Sequence, residues 1–246
     1  MTMTGGLTAS MQNPRTVFAG QQRISVILPI LNEEHVIAST LQALLSLMPY
    51  EIIVVDGGST DGTRAVCDQF SVRVLTSEPG RARQMNCGAR DATGDVLLFL
   101  HADTTLPASA LKDISAAMRE PDCPAGRFDV EIEGGHWMLK IIAWLISYRS
   151  RITKIATGDQ ALFVRRAVFE TMGGFQDIPL MEDIAFCRAL KRMGPIDCLR
   201  TRAITSGRRW ERDGVWRTII KMWMLKLGYL AGVSPERLKQ YYADTR

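Results

Sequence analysis

Acidic side chains stand where the chain turns from apolar to polar, and those are the positions where chemistry is expected. Asp56 closes the run Glu51-Ile-Ile-Val-Val-Asp56, and Asp103 follows Val96-Leu-Leu-Phe-Leu100 by way of His101 and Ala102. Two such carboxylates at neighbouring strand ends have complementary uses. One can pair with a base or a sugar hydroxyl, and the other can ligate Mg²⁺ or Mn²⁺, which prefer oxygen and are commonly held by one or two carboxylates plus substrate phosphates. Taken singly, either Asp reads equally well as a cap on the next helix. Glu182 and Asp183 follow the turn Gly173-Gly-Phe175 and offer a general base for a hydroxyl nucleophile, or ordinary partners of a helix dipole. Cations accompany the acids. Arg81 and Arg83 lie behind Gly80 at a helix start, where guanidiniums and backbone amides would meet a phosphate. Arg208-Arg209-Trp210, in a late loop, supplies charge for a departing diphosphate and a ring for stacking. His101 reads as a ligand, an acid or a packed strand residue.

The elements that must position these groups follow from periodicity. Val96 to Leu100 is an unbroken apolar run, the mark of a strand buried on both faces of a parallel sheet. Ile24 to Leu31 is a second such run, with Pro29 inside it, a residue that cannot donate to a ladder and belongs near a strand end. Asn32 is expected to cap the helix that follows, with Glu33 and Glu34 in its first turn. Glu51 to Asp56 and Val72 to Thr76 complete four strands that alternate with helices, including one over Arg64 to Phe70 and one over Arg81 to Asp91. The pattern predicts an α/β fold, a mostly parallel sheet with right-handed crossovers and ligands along its carboxyl edge. The loop Gly57-Gly-Ser-Thr-Asp-Gly62 is neither a dinucleotide fingerprint nor a Walker loop.

Beyond Asp103 the pattern loosens. Phe128 to Ile132 alternates like a half-exposed strand, antiparallel or at an edge. Trp137 to Ile146 is a strongly apolar helical stretch, too short to span a bilayer, that packs in the core or lies on a membrane. Ala161 to Val164 and Ile196 to Ala203 read as strands. Val215 to Val233 reads as an amphipathic helix of interfacial character, broken by lysines.

Composition narrows the class. Hydrophobic content of 46% and charged content of 23% are those of a globular chain. Residues 1–22 show no apolar periodicity and lack the apolar core of a signal peptide, so they read as a flexible leader. Five scattered cysteines without a Cys-x-x-Cys pair argue against a disulfide framework and a structural zinc site, which suits a reducing cytoplasm. Charge is unevenly spread. Residues 1–136 carry 10 Lys and Arg against 16 Asp and Glu, whereas residues 137–246 carry 20 against 10. A basic, apolar second half suggests phosphates or an anionic lipid leaflet as partner.

In order along the chain, these pieces resemble the family 2 glycosyltransferases, inverting enzymes of the type A nucleotide-diphospho-sugar transferase fold. The matching stretches are Ser25 to Glu33, Val54 to Thr63, Asn86-Cys-Gly88 with Ala92-Thr-Gly94, Leu98 to Asp103, Gly173-Gly-Phe175, Glu182-Asp183 and Arg209-Trp210. The resemblance implies a Rossmann-like sheet flanked by helices over residues 23–210. Residues 211–246 would form a C-terminal extension of amphipathic helices, packed on that domain or on a membrane surface. It implies that Pro29, Glu33 and Asp56 line the nucleotide pocket together with Arg83, Asp103, Arg208 and Trp210. Asp103 matches the last Asp of the family's Asp-x-Asp metal motif, Asp183 matches the catalytic base beside Glu182, and Arg209 assists departure of the diphosphate. The chain departs from the family at His101, which replaces the motif's first Asp, at Gly57, which replaces the usual second Asp of the Asp-Asp-Gly-Ser loop, and at Ser206, where a late Gln is typical.

The expected activity is metal-assisted transfer of a sugar from a nucleotide-diphosphate donor to an acceptor hydroxyl, small-molecule or lipid, with Mg²⁺ or Mn²⁺ as cofactor and no nucleic acid partner. The expected location is the cytoplasm or the inner face of the membrane. His101-Ala-Asp103, Gly158-Asp-Gln160 and Phe163-Val-Arg-Arg166 also resemble a bacterial subgroup of these transferases associated with arsenosugar biosynthesis and radical-SAM enzymes. A sugar-nucleotide-forming nucleotidyltransferase and a non-catalytic membrane-surface module are the competing readings.

Overall fold

The computed structural model describes residues 22–242; the flexible-leader expectation falls on residues outside these. The chain begins with β1 (Ile24–Ile30), α1 (Ile37–Ser46), β2 (Glu51–Asp56), α2 (Thr63–Cys67), β3 (Arg73–Thr76), α3 (Arg81–Asp91) and β4 (Val96–Phe99). It continues through β5 (Thr104–Thr105), α4 (Ala110–Ala117), β6 (Ala125–Glu133), α5 (Met138–Thr153), β7 (Phe163–Arg165), α6 (Arg166–Thr171), α7 (Glu182–Leu190) and β8 (Ile196–Ser206). The last elements are α8 (Arg208–Asp213), α9 (Val215–Leu230) and α10 (Pro235–Tyr241). One sheet runs β3-β2-β1-β4-β7-β6-β8-β5. Its first four strands are parallel, while β7 is antiparallel to both β4 and β6.

The unbroken apolar runs have a direct cause, because successive side chains point to opposite faces and both faces are covered. Val26, Leu28 and Ile30 of β1 pack with Ile37, Leu41 and Leu44 of α1 on one face. Ile27 of the same strand joins Ala82, Met85 and Ala89 of α3 on the other. Gly88 lets α3 settle there, since a Cβ at that position would fall 2.6 Å from an Ile27 methyl and 3.0 Å from a Val55 methyl.

Pro29 is tolerated in a central strand because of where β4 stops. The Ile27 carbonyl accepts from the Leu100 N–H, so Pro29, two residues on, faces the same side just past the point where β4 has ended. Of the two alternatives expected for Phe128 to Ile132, the antiparallel one is met: it lies in β6, antiparallel to β7 and parallel to β8, inside the sheet and not at an edge. One sequence expectation is corrected here. Asn32 does not cap α1, which starts at Ile37 without a side-chain cap or an acid in its first turn. Asn32 instead takes a left-handed backbone (φ 54°), which Asn tolerates, and turns its amide toward the neighbouring loop.

Candidate active site

The carboxyl ends of β1 and β2 are stitched together before any ligand arrives. The Asn32 N–H donates to Ser59 Oγ at 2.9 Å, and the Thr60 N–H donates to Asn32 Oδ1 at 2.9 Å. Glu34 Oε2 accepts the Gly62 N–H at 2.7 Å, and the Glu33 N–H reaches Thr63 Oγ1 at 2.7 Å. Asp56, buried at the end of β2, accepts from the Ser59 N–H at 3.0 Å and from its hydroxyl at 2.6 Å through one oxygen. From below, the buried Gln84 of α3 donates to the carbonyls of Ile30 and Val55 at 2.7 and 2.8 Å.

A second set of contacts brings distant segments to this edge. The Ser206 N–H at the end of β8 donates to the Asp103 carbonyl at 3.1 Å. That places Arg208 beside the cleft, with Nη2 3.7 Å from Glu33 Oε2. Asn86 of α3 exchanges two hydrogen bonds with the backbone of Phe175, at 2.8 and 2.9 Å. Phe175 then packs edge-on against Phe99 with ring centres 4.9 Å apart, which fixes the Gly173-Gly-Phe175 turn that leads into α7. Asp183, in the first turn of α7, accepts the Gly158 N–H at 3.0 Å. The His101 ring lies directly over Gly158, where a Cβ would come within 2.3 Å of it, and His101 Nδ1 is 3.5 Å from Asp159 Oδ1. A continuous path therefore joins His101 at the β4 end, through Gly158, to Asp183.

The electrostatics are graded across this path. Burial, with repulsion from Asp183, pushes the Glu182 carboxyl above the usual range while Arg81 opposes the shift. For Asp159, burial works against ionisation, but the hydrogen bond and charge of His101 and the charges of Arg81 and Arg209 hold its carboxyl below the usual range. Lys226 and Arg149, on the inner sides of α9 and α5, have their pKa values lowered by burial while the charge of Asp183 pulls the other way. Nε and Nη2 of Arg149 are buried without a hydrogen-bond partner among the described residues.

The structure brings together Pro29, His101, Gly158, Phe175, Glu182 and Asp183 around one pocket. A neighbouring cavity of about 150 Å³ is bordered by Arg81, Gln84, Glu182 and, from the C-terminal segment, Lys239 and Tyr242. Arg209 lies over the Tyr242 ring, 4.9 Å from its centre, and donates to its hydroxyl. Three placements bear on the expected site residues. Arg83 lies at the surface, paired with Asp177 at 2.9 Å and Glu78 at 2.6 Å, while Arg81 borders the neighbouring cavity. Trp210 packs against the cluster of Val130, Ile132 and Leu139 beneath α5. Residues 208–210 open the helix α8 and are not a loop. Gln84, Asp159, Arg149 and Lys226 were not singled out from sequence. Only Asp159 carried a signal, in Gly158-Asp-Gln160.

Among the described residues no group of three or more His, Cys, Asp or Glu could hold a metal ion. Of the two expected donors after β4, His101 is directed to Asp159, which leaves the single carboxylate of Asp103. One carboxylate suits a cation that draws its remaining ligands from a diphosphate and water.

A sheet of this order, flanked by helices, matches the type A fold of solved glycosyltransferases. Residues 25–178 match the family described as glycosyl transferase family 2, and the chain belongs to that family. It is 28% identical over 217 residues to the probable glycosyltransferase YdaM of Bacillus subtilis (strain 168), covering 78% of this chain and 51% of that protein. The chain thus spans about half the length of that relative. The mannosyltransferase PcManGT of Pyrobaculum calidifontis, solved with GDP-Man and Mn²⁺, superposes with a TM-score of 0.60 at 22% identity, over 76% of this chain and 57% of that one. S. aureus TarS 1-349, solved with UDP, gives 0.62 at 22% identity, over 75% and 60%. At these identities the likeness is one of fold.

Proposed function

We propose that the protein is an inverting glycosyltransferase that moves a sugar from a nucleoside-diphosphate donor to an acceptor hydroxyl, with Asp183 as general base. The observation that carries this reading is Asp183 in the first turn of α7, its carboxylate oriented by the Gly158 N–H and lining one pocket with Pro29 and His101. The acceptor oxygen attacks the anomeric carbon in line with the departing diphosphate, and its proton passes to Asp183 as the new C–O bond forms. Glu33 and Asp56 serve the nucleotide, held in place by the stitched loops. Arg208 and Arg209 offset the charge of the leaving diphosphate. Asp103 would hold Mg²⁺ or Mn²⁺ against the diphosphate oxygens, where the ion acts as a Lewis acid. The nucleotide and metal complexes of fold neighbours support the donor and cofactor classes. The His101-Ala-Asp103 and Gly158-Asp-Gln160 stretches support membership of the arsenosugar-associated and radical-SAM-associated subgroup.

The test is thermal stability with nucleoside diphosphates and UDP-, GDP- and dTDP-sugars, each with Mn²⁺ and with EDTA. A ligand at about 100 times its Kd adds roughly 2.7 kcal/mol, which for a chain of this size is a rise of roughly 5–10 °C. A metal-dependent rise with one nucleotide is expected. No rise with any nucleotide in folded protein overturns the reading.

A further inference from the structure

The helices α5 and α9 each carry two apolar stripes, and the fold uses only one of them. On α5 the inner stripe of Leu139, Ile142 and Ala143 packs with Val130 and Ile132 of β6, and Val215 and Ile219 of α9 close the same cluster. Further along α9, Leu225 packs against Met181 and Ile184. The second stripes face outward. Ile141, Trp144, Leu145, Tyr148 and Ile152 are 46–66% exposed, and Trp216, Ile220, Trp223, Met224, Leu227 and Leu230 are 56–67% exposed. Positions 141, 145, 148 and 152, like 216, 220, 223 and 227, fall on one side of their helix. Because the two helices share a cluster, these stripes lie on neighbouring elements.

Two features say what covers this face. Four of the five tryptophans, Trp137, Trp144, Trp216 and Trp223, are each 60–67% exposed. Tryptophan is highly buried on average within folded proteins, and it concentrates where an apolar layer meets water. Neither helix contains an acid, and the cations that accompany the outward stripes are Lys140 on α5 and Arg217 on α9, whereas Arg149 and Lys226 lie on the inner sides and Arg151 is bound to Asp129. Lys140 and Arg217 are exposed beside the stripes. A second copy seated here would set cation against cation, whereas an anionic leaflet is complementary. Among the described residues no helix is long and apolar enough to cross a membrane.

We propose that α5 and α9 form a docking face that lays the protein on an anionic lipid leaflet, with the tryptophans at headgroup depth and the cations on lipid phosphates. The docking stands whether or not the sugar transfer does. Its test is flotation of the full chain with vesicles of phosphatidylcholine alone and of phosphatidylcholine mixed with phosphatidylglycerol. The protein is expected to float with the mixed vesicles, less with the neutral ones, to release as salt rises, and to shift its tryptophan emission to the blue. Trp144→Ser with Trp223→Ser should weaken partitioning at least about tenfold. Each basic residue near an anionic leaflet contributes about fivefold, so Lys140→Glu with Arg217→Glu should lose about 25-fold or more. An unchanged melting temperature shows that either double variant is folded. Folded wild-type protein that stays off both vesicle types overturns the proposal. So does a blue shift that tracks a concentration-dependent dimer without lipid, which would give the face to a second copy.

Discussion

The strands β3, β2, β1 and β4 end in loops that hold one another, whereas β7, β6, β8 and β5 belong to a half whose site residues arrive from far along the chain. On the first side, Asn32 bonds to Ser59, Ser59 to Asp56, and Glu34 to Gly62, all within two successive βα units. On the second, Asp183 depends on Gly158, Gly158 on the placement of His101, and Arg208 on the pairing of β8 with Asp103. In the proposed function the first half is a preformed cradle for the nucleotide. The second places groups that act on the reacting atoms, and small displacements there should cost rate more than stability.

The sharpest break in that comparison is Asp183→Asn. A general base typically contributes 10²- to 10⁴-fold, so kcat should fall by about that factor while nucleotide-induced stabilisation persists. Retention of near-full rate would remove Asp183 from its role. Next comes Gly158→Ala, whose new methyl would meet the His101 ring and move the N–H that orients Asp183. A displacement of about 1 Å in a reacting group can cost about 10²-fold. Steady-state kinetics should show a fall of that order in kcat with KM for the donor nearly unchanged, because the donor loops belong to the other half.

This division also explains what could be read from sequence. β2 and α3 fall on residues 51–56 and 81–91, the spans expected from periodicity, because each is a contiguous run whose neighbours in space are its neighbours in the chain. The family stretches sort by place. Ser25, Glu51 and the Thr93-Gly94 turn bond together at the amino ends of the strands, far from the chemistry. Asn86 and Phe175 fix a turn. Pro29, His101, Phe175 and Glu182-Asp183 line the pocket. The choice between Arg81 and Arg83 was invisible, since it depends on Asp177, which reaches α3 from 94 residues away. The packing of Trp210 was invisible for a related reason. Its partners are Val130 and Ile132 of β6, and a bare Arg-Arg-Trp carries no sign of that cluster.

In the cradle half, Gln84→Leu keeps the side chain's bulk but strips a partner from the buried carbonyls of Ile30 and Val55. The Ile30 carbonyl keeps the Gly57 N–H at 3.0 Å, so the loss is that of ordinary hydrogen bonds at about 0.5–1.5 kcal/mol each, which urea unfolding should resolve, and donor affinity should fall with it. Glu182→Gln tests the acidic side of the cleft through pH. The folded protein holds the Glu182 carboxyl above its ordinary range, so it binds that proton more tightly than the unfolded chain does. The stabilising contribution is complete at acid pH and is lost as pH rises through the raised value. The Gln variant cannot ionise, so its melting temperature should exceed the wild type's near pH 8 and match it near pH 4. A variant equally destabilised at both pH values would mean that Glu182 is ionised against Arg81 in the folded protein.

The smallest effect expected is that of Arg83→Ala. Its guanidinium is 46% exposed and shared between Asp177 and Glu78 at the surface. Exposed pairs contribute about 0.2–1 kcal/mol, so the variant should lose no more than that in stability and leave the donor KM within about twofold. Arg81→Ala should raise the same KM much more, because Arg81 borders the cleft beside Glu182 and Gln84. The two arginines sit two positions apart in the first turn of one helix, with the same chemistry. If Arg83→Ala raised KM more than Arg81→Ala, the donor would have to approach along the outer face of α3, and the cradle would be on the wrong side of the helix.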